Sequence, residues 1–169
     1  MPNIVNNINL TLVEESRDSF VQKENGHHYI EKKIEGEFRL EGSPSFSARL
    51  QSEKSSYVLG ADEPTILEGE GIQISPLTYV LYGIMACYAN TLAIQCGLKD
   101  VRLAKLKLVG HLYYDIGPML SNIDSPLINE LRIEVDADKD IREIIEVSRV
   151  KCPAVSLVEK SVKTAILQV

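Results

Sequence analysis

The sequence predicts an α+β domain whose sheets are largely antiparallel. Segments with alternating apolar and polar residues lie on both sides of one long apolar segment. Predicted strands outnumber predicted helices, and no strand–helix unit repeats in the βαβ manner. A chain of 169 residues is expected to fold as one domain, residues 1–169.

The charge and the cysteine count restrict the function classes. The net charge of −6 argues against a nucleic-acid-binding protein, which normally carries a basic surface. There are three cysteines, Cys87, Cys96 and Cys152, and the first residues do not have the pattern of a signal peptide. We therefore expect a cytoplasmic protein whose cysteines are either small buried residues or reactive thiols.

Residues 1–60 are predicted to form antiparallel strands. The alternation, interrupted by Asn25-Gly26 and by Gly42-Ser43-Pro44, predicts four strands: residues 1–16, Ile30–Leu40, Phe46–Leu50 and Tyr57–Leu59. In the second strand, the residues predicted to face a core are Ile30, Ile34, Phe38 and Leu40. Each strand is thus expected to be buried on one face.

The segment Gly71–Leu98 contains no charged residue. Ser75 as N-cap and Pro76 at the first helical position predict a central helix over residues 76–95, with Gly97 just beyond its end. Three interpretations compete: a membrane span, a buried helix, or a buried helix that presents Cys87 as a reactive thiol. Polar residues within the segment and the lack of basic flanks argue against the membrane.

One face of this predicted helix carries small residues. Gly83, Cys87 and Thr91 follow one another at four-residue spacing. Small residues allow another element to approach closely, so we expect a second helix on this face, from this chain or from a second copy.

Residues 100–169 are predicted to contain strands and helices in turn. The periodicity predicts strands over Asp100–Tyr114 and Ile128–Val135, an amphipathic helix capped by Asp138 or Asp140, a helix from Pro153 to Glu159, and a strand over Val162–Val169.

The three cysteines differ in their expected reactivity. Cys152 is the predicted N-cap of a helix, where the dipole stabilises a thiolate, although a buried structural cysteine fits the position equally well. Cys87 lies too far from either helix end for the helix dipole to stabilise its thiolate, so its activation depends on residues that are close to it in the folded structure. Cys96 lies at a helix C-terminus and is expected to be unreactive.

The histidines do not predict a metal site. His27 and His28 are adjacent in a polar segment, so their side chains point apart, and no other ligand stands at metal-binding spacing to them or to His111. No phosphate-binding glycine loop is present, since the glycines around Glu68 and Glu70 would bring two carboxylates to a phosphate, and we expect no cofactor.

Several motifs, taken in order, resemble one known family. They are Ala61-Asp62-Glu63-Pro64, Gly69-Glu70-Gly71 followed by Ser75-Pro76, Gly83-Ile84-Met85-Ala86-Cys87 followed by Thr91-Leu92, and Cys152-Pro153. Their order, and the sequence separation of 65 between Cys87 and Cys152, resemble the osmotically inducible protein C (OsmC) and organic hydroperoxide resistance family over roughly residues 36–169.

This resemblance implies a fold, a partner and a reaction. It implies an intertwined homodimer in which antiparallel sheets surround long central helices. It also implies that Cys87 attacks an organic hydroperoxide, that Cys152 resolves the product to a disulfide, and that a dithiol reductant restores both thiols.

The sequence departs from the family at one important point. Family members with peroxidase activity pair an arginine with a carboxylate at the positions that Leu77 and Thr78 occupy here. Glu68 and Glu70 lie upstream as candidate replacements for the acid, and Glu70 is the nearer of the two. Arg49, or else Arg39, is the candidate arginine.

The sequence therefore leads to two hypotheses. The first is a thiol-dependent peroxidase with Cys87, Cys152, Arg49 and Glu70 in its site, no metal or cofactor, and neither nucleic acid nor membrane as a partner. The alternative is a binding or redox-sensing module of low activity that holds an apolar ligand at the dimer interface. A third, purely structural interpretation treats both cysteines as core residues.

Overall fold

The computed structural model describes residues 2–24, 26–160, 162 and 164–168. The chain divides into two compact units. The larger unit takes residues from both ends of the chain, up to Gly26 and from Gly83 onward, and the smaller unit is His27–Tyr82. The α+β class and the antiparallel pairing of the strands are as the sequence predicts.

The chain begins with a short hairpin and a helix. Strands β1 (Ile4–Val5) and β2 (Ile8–Asn9) pair antiparallel, and helix α1 follows over Leu10–Glu24. The predicted strand over residues 1–16 is therefore wrong. Asn6 and Asn7 have φ of 51° and 64°, which suits a two-residue hairpin turn and ends the strand.

The smaller unit contains a three-stranded antiparallel sheet, with strands β3 (Glu35–Phe38), β4 (Phe46–Gln51) and β5 (Ser56–Ala61) in that order. The predicted third and fourth strands are confirmed, and the fourth is longer than predicted. The second is confirmed only over Glu35–Phe38, and its predicted core residues Ile30, Ile34, Phe38 and Leu40 are all exposed. Alternation identifies an apolar face but not the element that covers it.

Helix α2 spans Pro76–Leu98, so it begins in the smaller unit and continues into the larger one. It ends three residues later than predicted, and Gly97 lies inside it rather than beyond its end. Asp100 takes the left-handed conformation, with φ of 53°, and the N–H of Val101 donates to the carbonyl of Cys96 at 2.8 Å. This is a Schellman ending in which an aspartate takes the usual glycine position.

By length and composition, α2 is the one helix in the described part of the chain that could cross a membrane. That is weak evidence, because a long core helix in a soluble protein meets the same two criteria. The expectation of no membrane partner stays a prediction.

The second half of the chain forms a hairpin and two consecutive helices. Strands β6 (Leu106–Tyr114) and β7 (Ile128–Ala137) pair antiparallel, with the short helix α3 (Gly117–Leu120) between them. Helices α4 (Arg142–Lys151) and α5 (Pro153–Glu159) follow.

Three predictions in this region need correction. The strand predicted from Asp100 begins only at Leu106, because Asp138 accepts the N–H groups of Ala104 and Lys105 at 3.0 and 2.9 Å. Neither Asp138 nor Asp140 is the N-cap of α4, since that residue is Ile141. In the segment predicted as a closing strand, Val162 and residues 164–168 are not in a strand, while 163 and 169 lie outside the described residues. Terminal apolar residues form a strand only where another strand pairs with them.

The core of the larger unit lies along α2. Ile84, Tyr88, Leu92 and Cys96 repeat every four residues on its inner side and are buried. They form one cluster with residues of α4, of α5 and of the segments next to them: Ile141, Ile144, Cys152 and Val155. Side chains from β6 and β7 pack against this cluster, so the two helices and the hairpin fix the neighbourhood of Cys87.

Candidate active site

The structure brings two of the predicted thiols into contact. The Sγ atoms of Cys87 and Cys152 lie 3.6 Å apart, and the two cysteines are not bonded to each other. Cys152 is fully buried, whereas Cys87 is partly exposed. Because the separation is larger than the roughly 2.05 Å of a disulfide bond, this geometry is that of two neighbouring free thiols.

Local sequence explains where Cys152 stands. Pro153 lacks an N–H and restricts the residue before it to extended backbone, so α4 ends and α5 begins at this junction. Cys152 has φ of −82° and ψ of 119°, and it is both the C-cap of α4 and the N-cap of α5. The predicted N-cap position is confirmed, although its side chain makes no capping hydrogen bond. The Cys152 thiol instead donates toward Cys87.

Two contacts hold α2 and α4 together beside the thiols. The hydroxyl of Tyr88, the residue after Cys87, donates to the carbonyl oxygen of Ile145 at 3.1 Å. The ammonium group of Lys151, the residue before Cys152, donates to Oε1 of Gln95 at 3.2 Å. Sequence reasoning missed Tyr88, although its spacing from Ile84 and Leu92 on the apolar stripe already indicated that it points inward.

The environment of Cys87 disfavours its thiolate. Burial raises the pKa of the Cys87 thiol above its ordinary value, the neighbouring Cys152 acts in the same direction, and the backbone N–H of Ala154 opposes them by donating to the sulfur. Within the described part of the chain, no Asp, Glu, Lys or Arg side chain contributes to this shift. The contribution of Ala154 was not predicted, because backbone donors have no residue-type signature.

Space is available on one side of Cys87. Gly83 lies one helical turn earlier on α2, and a Cβ added there would meet, apart from the backbone of the helix itself, no atom of the described residues within 4 Å. A substrate or ligand bonded to the Cys87 sulfur therefore has room over this glycine in the isolated chain.

A cleft of about 450 Å³ lies next to the same core. Its apolar wall includes Tyr88, Leu131, Ile133 and Val155, and its rim carries Arg149, Glu130, Glu146 and Glu159. The Arg149 guanidinium pairs with Glu159 at 2.6 Å, which joins α4 to the end of α5. Neither cysteine lines this cleft, so it adjoins the thiol pair without containing it.

The predicted charged partners lie in the smaller unit. Arg49 is exposed on β4, and its guanidinium donates to Oγ of Ser56 at 3.2 Å. Arg39 donates to the carbonyl of Ser43 at 3.4 Å. The backbone N–H of Glu70 donates to the buried carboxylate of Asp62 at 2.9 Å, while Glu70 itself is exposed. Their assistance to Cys87 stays a prediction.

Cys96 belongs to the hydrophobic core. It is fully buried, and burial raises the pKa of its thiol. The raised pKa agrees with the expectation that Cys96 is unreactive, but the cause of the shift is burial rather than the helix dipole.

No cluster of three or more His, Cys, Asp or Glu side chains among the described residues could hold a metal ion. The prediction that the protein uses no metal remains a prediction.

Comparison with known proteins finds similarity in structure. No protein-family model matches the sequence, and no curated protein sequence matches it either. An OsmC-like protein from Mycoplasma pneumoniae superposes with a TM-score of 0.57 and 20% identity, over 78% of this chain and 89% of that one.

Two further solved structures are similar. One is an organic hydroperoxide resistance protein OsmC from Legionella pneumophila, with a TM-score of 0.54 and 11% identity over 78% of this chain and 92% of that one. The other is an organic hydroperoxide resistance protein from Elizabethkingia anophelis, with a TM-score of 0.53 and 14% identity over 78% of this chain and 91% of that one. The chain therefore has the fold of OsmC-like and organic hydroperoxide resistance proteins.

Proposed function

We propose that this protein is a thiol-dependent peroxidase that reduces organic hydroperoxides with Cys87 and Cys152. The observation that carries the proposal is the 3.6 Å separation of the two sulfur atoms. Two thiols this close need to approach by only about 1.5 Å to reach disulfide bonding distance. The hydroperoxide resistance proteins of similar fold from Legionella pneumophila and Elizabethkingia anophelis support the same class of substrate.

The reaction begins at Cys87, because Cys87 is the partly exposed residue of the pair. The Cys87 thiolate attacks one peroxide oxygen, the O–O bond breaks, and the alkoxide leaves as an alcohol after taking up a proton. Cys87 is then a sulfenic acid. The thiol of Cys152 displaces its hydroxyl as water and forms the disulfide. A dithiol reductant of the cytoplasm returns two electrons and two protons.

The proposal includes a homodimer. The predicted core residues around β3 are exposed in the single chain, and so are Val80 and Tyr82 of α2. A second copy that covers these apolar surfaces would bury them. It would also bring further charged side chains toward Cys87, among which Arg49 and Glu70 are the candidates for lowering the thiol pKa.

A second function is favoured by one observation, the raised pKa of Cys87. A thiol that is largely protonated at neutral pH attacks peroxide slowly. The same scaffold would then act as a redox-sensing or binding module that holds an apolar ligand without efficient turnover.

A peroxide-consumption assay separates these possibilities. The wild type and a Cys96→Ala control are expected to consume cumene hydroperoxide in the presence of dithiothreitol, and Cys87→Ser is expected to lose this activity. Equal consumption by the wild type and Cys87→Ser would contradict the peroxidase and favour the binding module.

A further inference from the structure

We propose that Cys87 and Cys152 together form a binding site for monosubstituted trivalent arsenicals, in which one arsenic atom bonds to both sulfurs. The site differs from a peroxidase centre in what it requires. It needs two neighbouring thiols and an uncharged pocket, and it does not need an activated thiolate or turnover.

The first support is the distance between the sulfurs. Zinc–thiolate bonds are about 2.3 Å long, and two of them at a tetrahedral angle place their sulfurs about 3.8 Å apart. Bonds from trivalent arsenic to sulfur are similar in length, and the pyramidal angle between them is somewhat narrower. The observed 3.6 Å therefore fits arsenic with little movement of either cysteine.

The same distance disfavours ions that bind two sulfurs in a straight line. At a bond length of about 2.3 Å, a linear arrangement needs sulfurs about 4.6 Å apart. Cys152 is fully buried at the junction of α4 and α5. To increase the sulfur–sulfur distance to this value, these two helices would have to move away from α2. An atom that bonds to both sulfurs at a bent angle is the better match to this site.

The second support is the charge of the product. Burial disfavours a negative charge on Cys87, and no basic side chain in the described part of the chain offsets it. A complex of two thiolates with a monovalent metal ion would bury a net negative charge. A monosubstituted arsenical bonded to two thiolates is neutral, which suits the apolar surroundings.

The third support is access. Cys87 is partly exposed, and the space over Gly83 is open in the isolated chain. The first arsenic–sulfur bond forms at Cys87, and the buried Cys152 then forms the second. The single organic substituent on arsenic points toward the open side.

The chemistry is a condensation without electron transfer. In water the arsenical oxide takes up one water and carries two hydroxyl groups on arsenic. Each of two S–H bonds gives its proton to one leaving hydroxide, two As–S bonds replace two As–O bonds, and two waters are released. The net release from the oxide is therefore one water. Arsenic stays trivalent throughout. No oxidant or reductant takes part.

The test uses phenylarsine oxide on the full reduced chain, in equimolar amount, followed by intact-mass measurement and thiol titration. We expect one adduct per chain, with the mass of phenylarsine oxide less one water, and the loss of two free thiols. The adduct should survive washing with a monothiol and be released by a dithiol. Cys96→Ala should behave as the wild type.

Cys87→Ser and Cys152→Ser test the chelate. Each should retain the adduct at least about a hundredfold less well under monothiol, because the second bond gains from high effective concentration. Retention equal to the wild type in either variant, or loss of it in Cys96→Ala with a native circular-dichroism spectrum, would overturn the site. Adduct formation in a protein that consumes no peroxide would reject the peroxidase and leave this site intact.

Discussion

The hydroxyl of Tyr88 donates to the backbone carbonyl of Ile145 at 3.1 Å, and it thereby joins α2 to α4 at the residue next to Cys87. Only 5% of Tyr88 is exposed, so the bond lies inside the core rather than on the surface. Buried hydroxyls that lose their partner are costly. The bond therefore helps fix the position of α4, and with it the position of Cys152.

Removal of this hydroxyl is expected to destabilise the fold. Tyr88→Phe should lower the free energy of unfolding by about 1 kcal/mol, the usual value for one lost intramolecular hydrogen bond. Urea unfolding followed by circular dichroism measures the change. Tyr57→Phe is the control, since Tyr57 on β5 is 62% exposed and its change should stay within about 0.5 kcal/mol. Equal effects of the two substitutions would argue against the structural role of the Tyr88 hydroxyl.

The raised pKa of Cys87 predicts the pH dependence of its alkylation. Burial keeps the thiol protonated at neutral pH, so iodoacetamide should modify Cys87 more slowly than free cysteine. The rate should still be rising at the pH where free cysteine has levelled off. Peptide mass spectrometry across a pH series measures this. A midpoint below that of free cysteine would show that a charge, such as one from a second copy, stabilises the thiolate.

The same shift has a consequence for stability. A thiol whose folded pKa exceeds its unfolded pKa contributes stability that is fully present below the unfolded pKa and is lost as the pH rises through the folded pKa. The free energy of unfolding of the wild type should therefore fall in this alkaline range more steeply than that of Cys87→Ser. Parallel curves for the two proteins would contradict the shift.

Gly83 tests the proposed dimer. Apart from the backbone of α2 itself, no described residue lies within 4 Å of a Cβ at this position, so Gly83→Ala and Gly83→Leu should each stabilise an isolated chain by up to about 1 kcal/mol through helix propensity. If the small-residue face of α2 packs against a second copy, Gly83→Leu should instead weaken the dimer, and Gly83→Ala should do so less. Sedimentation velocity over a concentration series distinguishes these results. An unchanged dimer with both substitutions would exclude this face from the interface.

Asn6 and Asn7 offer a matched pair in the N-terminal hairpin. The Asn6 side chain donates to the carbonyl of Val101 and accepts the N–H of Leu103, each at 2.8 Å. Glycine tolerates the positive φ of both positions, so Asn6→Gly removes only the side-chain bonds and should cost about 1–3 kcal/mol. Asn7→Gly should change the free energy of unfolding little, because Asn7 is exposed. Similar losses in thermal unfolding for both would refute the role of Asn6.

Hydrophobic periodicity, together with the positions of proline and glycine, predicted much of this fold. The charge-free segment identified α2 because Pro76 starts the helix, and Pro153 identified the junction at Cys152. The N-terminal helix was missed because Ile8, Leu10 and Leu12 alternate as in a strand, whereas the chain turns at Asn6 and Asn7 and the helix α1 already begins at Leu10. The end of α2 was misplaced because an aspartate, rather than the nearby glycine, took the left-handed position.

The site was only partly predictable. Residue type identified three thiols, and the junction before Pro153 distinguished Cys152 from the others. Two contributions carry no signal in residue type, namely the backbone N–H of Ala154 and the tertiary bond of Tyr88. Periodicity alone does not identify which surface covers Cys87, so the charged partners predicted for it, Arg49 and Glu70, rest on the family resemblance.

The central claim is that peroxide converts Cys87 and Cys152 into a disulfide within one chain. The direct measurement is the intact mass of the denatured protein after one equivalent of cumene hydroperoxide without reductant, followed by peptide mapping. We predict a loss of two hydrogens per chain and a peptide that links Cys87 to Cys152, in the wild type and in Cys96→Ala. Retention of all free thiols, or a link that involves Cys96 instead, would contradict the account.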